Sequence, residues 1–326
     1  MGGDISNSGG GRNRWRIVRW TVGLLLLALV GTALGTYLWA DGRLRHVDAV
    51  TDWDGRPGNG PGTNWLLVGS DSRAGLTPQQ QRDLHVGGES GTNTDTVMVL
   101  HQGDNGPVLM SIPRDSYVAI PGHGKNKINA AFALGGPALL VRTVESTTGI
   151  RIDHYVEVGF TGIVDIVDSL GGVEMCLDEP VKDAKSGADL PAGCQDLNGT
   201  QALALVRTRY SLPDSDLSRI GNQQAFLKAL ASEVLSPATL LNPFVLYPFL
   251  SATLDALTVD QGSSLWTLAR FARQMDQVSG SGGTALTVPI ADQNYQTPAG
   301  SSILWAPQAS KRLFEAIQND RPVPNS

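Results

Sequence analysis

The chain has 326 residues, 41% apolar and 17% charged, with a formal net charge of −6. That length allows one large domain or two small ones, with enough apolar residues for a sizeable core. The acidic balance argues against a general nucleic-acid binder, which would carry a broad basic excess.

Residues 1–14 are rich in Gly, Ser and Asn and read as disordered. Arg12, Arg14, Arg16 and Arg19 then precede the uncharged run WTVGLLLLALVGTALGTYLWA, Trp20 to Ala40. A helix of about 20 apolar residues crosses a bilayer core. Trp15 and Trp20 at one end, with Tyr37 and Trp39 at the other, suit the two interfaces. The basic flank favours a cytoplasmic N-terminus, with everything after Asp41 outside. A cleaved signal peptide is the competing reading, but the run is long for a signal core and no small-x-small site follows it. The expected organisation is a basic tail over 1–19, a transmembrane helix over 20–40 and a linker over 41–62. A folded domain over 63–318 and a tail over 319–326 complete it.

Past the linker, NWLLVGS (64–70) is a short apolar run that predicts a buried strand. TDTVMVLHQ (94–102) and PVLMSIP (107–113), split by the turn GDNG, predict a hairpin. NAAFALGGPALLVRTVESTTG (129–149) has helical spacing and a terminal Gly. DHYVEVGF predicts a strand, TGIVDIVDSLGG a helix, VEMCL a strand and NGTQALALV a short capped helix. Residues 216–235 predict an amphipathic helix, LLNPFVLYPFL (240–250) is unusually apolar, SSLWTLARFARQM predicts a helix and TALTVPI a late strand. The alternation points to a three-layer α/β/α sandwich with a mixed central sheet. Cys176 and Cys194 flank a polar loop with Pro and Gly, and an exported domain would bridge them as a disulfide.

No Gly-x-Ser-x-Gly elbow, Walker loop, His-Glu-x-x-His or Cys-x-x-Cys is present. What remains is charge at strand ends: Asp71 and Arg73 after the first strand, Asp95 opening the second, Arg114 and Asp115 after the third. Loops at strand ends are where α/β folds usually carry their sites, although a single such carboxylate is commonly a turn or helix cap. VRTRYSLPDSDLSRIGNQQ (206–224) adds Arg207, Arg209 and Arg219, with Gln223 one helical turn beyond Arg219. Solvated arginines paired with Asp214 and Asp216 are the bland alternative. Converging carboxylates hold a hard cation, and guanidinium forks match phosphate oxygens. The anion they suit together is a phosphate or pyrophosphate.

LLVGSDSR, TDTVMVLH, SIPRDSYVAIPG, KINAAFALGG, GIRIDHYVEVGFTGIVDIVDSLGGVEM, LPAG…LNGTQALALVRTRY and LSRIGNQQAFLKAL, in order over roughly residues 64–232, resemble consecutive blocks of the LytR–CpsA–Psr family. The resemblance implies a membrane-anchored extracellular phosphotransferase, Mg²⁺- or Mn²⁺-dependent. Such an enzyme moves a glycan 1-phosphate from a polyprenyl-pyrophosphate carrier to a peptidoglycan hydroxyl, and actinobacterial members ligate arabinogalactan or related glycans. By motif, Asp71 and Asp95 match the metal-associated carboxylates. Arg114, Arg207, Arg209 and Arg219 match the pyrophosphate-contacting arginines, Gln223 a site glutamine, and Asp115 and Lys127 recurring pocket positions. Arg73 is a further candidate for the pyrophosphate, because Asn93 stands where the family usually has Arg; Asn222 is a milder departure. Asp95 or Asp115 is the expected base for the acceptor hydroxyl. Apolar helix faces in NAAFALGGPALLV, FTGIVDIVDSL and AFLKALASEVL are candidates for a polyprenyl groove. The expected partners are the carrier-linked glycan, peptidoglycan and the bilayer, and no nucleic acid. A polyprenyl-pyrophosphate pyrophosphatase and a non-catalytic carrier or scaffold are the competing readings.

Overall fold

A computed structural model describes residues 10–70, 94–208, 225–226, 228–234, 236–280 and 282–323. It divides into two compact units, residues 1–43 and 44–326. The first contains α1 (Gly10–Asp41), within which Val18–Asp41 has a mean hydropathy of 1.9 and the length to cross a membrane.

The second unit is built on seven strands: β1 (Arg45–Val47), β2 (Thr63–Ser70), β3 (Thr94–Gly103), β4 (Gly106–Ile112), β7 (His154–Gly159), β12 (Leu257–Asp260) and β13 (Thr284–Thr287). Their order is β1-β12-β7-β2-β3-β4-β13. β2 runs parallel to β7, β13 parallel to β4 and β1 parallel to β12, whereas β2–β3, β3–β4 and β12–β7 are antiparallel. The expected mixed sheet is therefore present, and the 94–102/107–113 hairpin closes at Gly103↔Gly106 as its turn residues predict.

Side chains alternate across the sheet, so each face has its own core. Leu66, Val68, Val97, Val99, Met110 and Ile112 are buried with α2 (Asn129–Thr148) and α8 (Pro307–Gln318), the latter through Leu313, Phe314 and Ile317. On the other face Trp65 lies 4.9 Å from Phe271 of α7 (Leu265–Ser279). These are the three layers. A second core contains no residue of the seven-stranded sheet. It joins α3 (Phe160–Leu170), α4 (Gly199–Arg207), β8 (Val173–Leu177), β9 (Val181–Asp183), β10 (Ala188–Leu190) and β11 (Gly193–Leu197). Cys176 and Cys194 sit opposite one another on β8 and β11 and form the expected disulfide. Gly199 lets α4 meet α3 backbone to backbone, since a Cβ there would overlap the Val164 carbonyl.

Two sequence expectations change. The helix over 129–149 is broken: Gly135 and Gly136 leave helical geometry, Gly136 at φ 65°. Pro137 explains it, because the residue before a proline is pushed out of the α region, and glycine accepts the positive φ. The linker over 41–62 is built into the second unit. β1 forms the sheet's edge, Ala49 is fully buried, and Arg56 reaches the buried Glu145 carboxylate of α2 at 3.0 Å. The expected helix over 216–235 is helical at residues 225–226 and 228–234, and its first part lies outside the described residues. The apolar 240–250 segment forms α5 (Pro237–Leu240) and the start of α6 (Pro243–Ala256).

Candidate active site

Strand directions bring the chemistry to one edge of the sheet. Ser70 at the end of β2 pairs with Gly159 at the end of β7 and with Thr94 at the start of β3. Ile112 at the end of β4 pairs with Val97 near the start of β3. In sequence Asp71 follows Ser70 and Asp95 follows Thr94, the two residues that pair at this end of β2 and β3. Arg114 and Asp115 follow β4, two strands from β2, a lateral separation of about 10 Å.

At this edge the hydroxyls of Ser70 and Thr94 are fully buried and lack a hydrogen-bond partner among the described residues. Buried hydroxyls are normally satisfied, so two without a partner among the described residues mark a place that suits something polar. Sequence reasoning passed over both. The signal that could have found them is the repeated hydroxyl–Asp dipeptide, Ser70-Asp71 and Thr94-Asp95.

The turn after β4 is firmly held. Ser116 N–H and Oγ both donate to the Pro113 carbonyl, and Ser116 Oγ accepts from Trp305 Nε1 at 2.8 Å. The Arg114, Asp115 and Ser116 carbonyls accept from Asn129, Ile303 and Ile128 N–H respectively. Ile303 and Trp305 belong to β15 (Gly300–Trp305), which pairs with β14 (Ile290–Thr297) in a hairpin the sequence reading missed.

On that turn the Asp115 carboxylate lies between two cations, 3.0 Å from Lys127 Nζ and 3.4 Å from Arg114 Nε. Lys127 ends β6 (Gly124–Lys127), whose partner β5 (Tyr117–Ile120) sets Tyr117 opposite Lys127 and Ala119 opposite Lys125. Two positive charges balanced by one negative leave a net positive locus. All three side chains are partly exposed, between 22% and 31%, so they remain accessible to an anion. An open cleft of about 530 Å³ adjoins the cluster, lined by Tyr117, Lys125, Trp305, Lys311 and Gln318 among others. Alternation along β6 puts Lys125 and Lys127 on one face, linking cleft and cluster.

Arg207 occupies the last turn of α4, where a cation is favoured by the helix dipole. The Asn198 side chain accepts from Gln201 N–H, and the Gln201 side chain from Asn198 N–H, which fixes where that helix begins. Arg114, Asp115 and Lys127 are thus brought together. Asp71, Arg73, Asn93, Arg209, Arg219, Asn222 and Gln223, and the side chain of Asp95, lie outside the described residues. Among the described residues no group of three or more His, Cys, Asp or Glu gathers to hold a metal.

The sequence profile of the LytR_cpsA_psr family matches residues 43–316. A protein described as a probable cell wall biosynthesis protein, LcpB of Corynebacterium glutamicum, is 46% identical over 91% of this chain and 70% of its own length. A polyisoprenyl-teichoic acid–peptidoglycan teichoic acid transferase, TagT of Bacillus subtilis, is 37% identical over 51% of this chain, which spans half of TagT. A solved LytR-Csp2A-Psr enzyme from Actinomyces oris shares the fold, with TM-score 0.65 and 23% identity over 85% of this chain and 96% of that one. The chain belongs to the LytR_cpsA_psr family.

Proposed function

We propose that the protein is a membrane-anchored, extracellular phosphotransferase that moves a glycan 1-phosphate from a polyprenyl-pyrophosphate carrier to a peptidoglycan hydroxyl, with arabinogalactan-type glycans as the donor class. The observation that carries the reading is the shared end of the sheet, where the Ser70–Thr94 pair and the turn that bears Arg114 and Asp115 lie at the ends of neighbouring strands. The family relationship and the substrates in TagT's name support it.

In this reading Arg114, Lys127, Arg207 and Arg209 bind the two phosphates, with Arg73, Arg219 and Gln223 completing the set. Asp115 positions Lys127 and Arg114 by pairing with both. The acceptor hydroxyl, losing its proton to Asp95 or Asp115, attacks the glycan-linked phosphorus. The bond to the distal phosphate breaks, and polyprenyl phosphate leaves with the displaced charge, stabilised by the arginines. Asp71 and Asp95 would hold Mg²⁺ or Mn²⁺, and the Ser70 and Thr94 hydroxyls are hard oxygen donors that fit a hard cation there. Bound, that ion would neutralise pyrophosphate charge.

The test is phosphate release from geranyl pyrophosphate by the full chain in detergent with Mg²⁺, beside an Arg207→Ala/Arg209→Ala variant. Turnover that needs Mg²⁺ and disappears in the variant is expected, with transfer replacing hydrolysis once peptidoglycan fragments are added. Tight binding without turnover would overturn the catalytic reading in favour of a carrier.

A further inference from the structure

An apolar surface sits on α5 and α6, outside the site. Leu241 is 82% exposed and Phe244 87%, with Leu240 and Tyr247 beside them. No charged residue occurs between Glu233 and Asp255. This surface is built rather than left over. Ser236 Oγ caps Thr239 N–H, Thr239 Oγ1 donates to the Glu233 carbonyl, and Asn242 Oδ1 caps Phe244 N–H. Phe249 and Leu254 turn inward from the same helix. Leu241 and Phe244 face outward and belong to neither buried core.

Topology says what lies near. α6 runs directly into β12, whose first residue Leu257 pairs with Val158 near the end of β7, at the catalytic edge. β1 begins at that same edge, with Arg45 opposite Thr258. Only Gly42, Arg43 and Leu44 separate Arg45 from the end of α1. The chain therefore joins the sheet from the membrane-length helix at the edge where α6 ends and where the phosphate-binding groups gather. Arg45 is exposed there and suits anionic headgroups.

We propose that the α5–α6 surface is an interfacial docking element that seats the second unit on an anionic bilayer, with Leu241, Phe244 and Tyr247 in the headgroup region. Aromatic and leucine side chains on an uncharged helix face are what such binding uses. The inference rests on the membrane-anchored reading above and deepens it: the donor's pyrophosphate lies at the bilayer surface, and docking presents the catalytic edge to it.

The experiment uses the full chain in phosphatidylcholine–phosphatidylglycerol vesicles, with p-benzoylphenylalanine placed at position 244 or, as a control, at exposed position 311 on α8. Irradiation is expected to give several-fold more lipid adduct at 244 than at 311. A second pair of samples carries the photoprobe at 247, with and without Leu241→Asp/Phe244→Asp. The double change should reduce the lipid adduct at 247 to the control level while the thermal midpoint is unchanged. Equal adduct at 244 and 311, or adduct at 244 to a second copy of the chain, would overturn the proposal. Co-sedimentation with the vesicles is scored separately and reports on the α1 anchor alone. Phosphate release reports on the catalytic reading, so each of the three can fail by itself.

Discussion

Glu145 is fully buried on α2, and its carboxylate accepts from Trp53 Nε1 at 2.9 Å, Arg56 Nε at 3.0 Å and Ile152 N–H at 3.0 Å. Arg56 also reaches Asp52 Oδ1 and the Ile152 carbonyl, each at 2.8 Å. The Arg56 side chain is 7% exposed, and Glu145→Gln removes its buried counter-charge, leaving it the 92%-exposed Asp52 carboxylate. Breaking a buried pair by removing one charge costs about 3–5 kcal/mol. For a unit spanning residues 44–326, unfolding entropy near the midpoint is roughly 0.6 kcal/mol/K, giving a fall of about 5–8 °C. Thermal unfolding of the full chain in detergent, followed by circular dichroism, measures it. Arg56→Met alone should also destabilise, since it leaves the carboxylate unpaired, and Arg56→Met/Glu145→Leu should lose less than the two single changes summed. A Glu145→Gln midpoint within about 1 °C of the parent, where 5–8 °C is expected, would refute the assignment of this pair as a clamp.

Asp260 is held below the usual carboxylate range: burial alone would raise it, but hydrogen bonds from His154, Ser263 and the Tyr155 N–H outweigh that. A depressed folded pKa contributes stability that is present above the unfolded value and lost as pH falls through the folded one. Asp260→Asn should therefore lower the midpoint at pH 7, with the gap to the parent closing below the ordinary Asp range near 4. Asp165 is pushed up by burial and then by Asp168 and Asp255, so its charge opposes folding at neutral pH and its protonation relieves that cost. Asp165→Asn should raise the midpoint at pH 7, and the gain should vanish in acid. Gly199→Ala should cost about 1–3 kcal/mol from the clash with Val164, read by urea unfolding. Opening the Cys176–Cys194 bridge, whose partners are 18 residues apart, removes about 3 kcal/mol of loop-closure stabilisation. The loss should show as faster proteolysis between residues 173 and 197.

The central hairpin and the helices at 160–170, 199–207 and 265–279 were legible because each rests on a local signal, alternation or a cap residue; the helix at 307–318 was not read from the sequence. The β14–β15 hairpin was not, since Asp292, Asn294 and Gln296 are exposed and carry no apolar alternation. β1 was missed for a similar reason: Arg45 and His46 look outward, and the strand exists only because β12, far away in sequence, offers it an edge. The resemblance names Asp115 and Lys127 as pocket positions, but their ion pair depends on how β5–β6 folds back on the turn. The Ser70 and Thr94 hydroxyls became conspicuous only through burial, a property of packing.

β1 also has a mechanical consequence. Its three residues run parallel to β12, so tension applied at residue 41 pulls along the strand and loads those backbone hydrogen bonds together, in shear. Farther along the chain, Arg56 crosses to Glu145 and bears whatever load passes β1. Glu145 lies on α2, whose first residue Asn129 donates to the Arg114 carbonyl, so load carried by the pair reaches the Arg114–Ser116 turn along that helix.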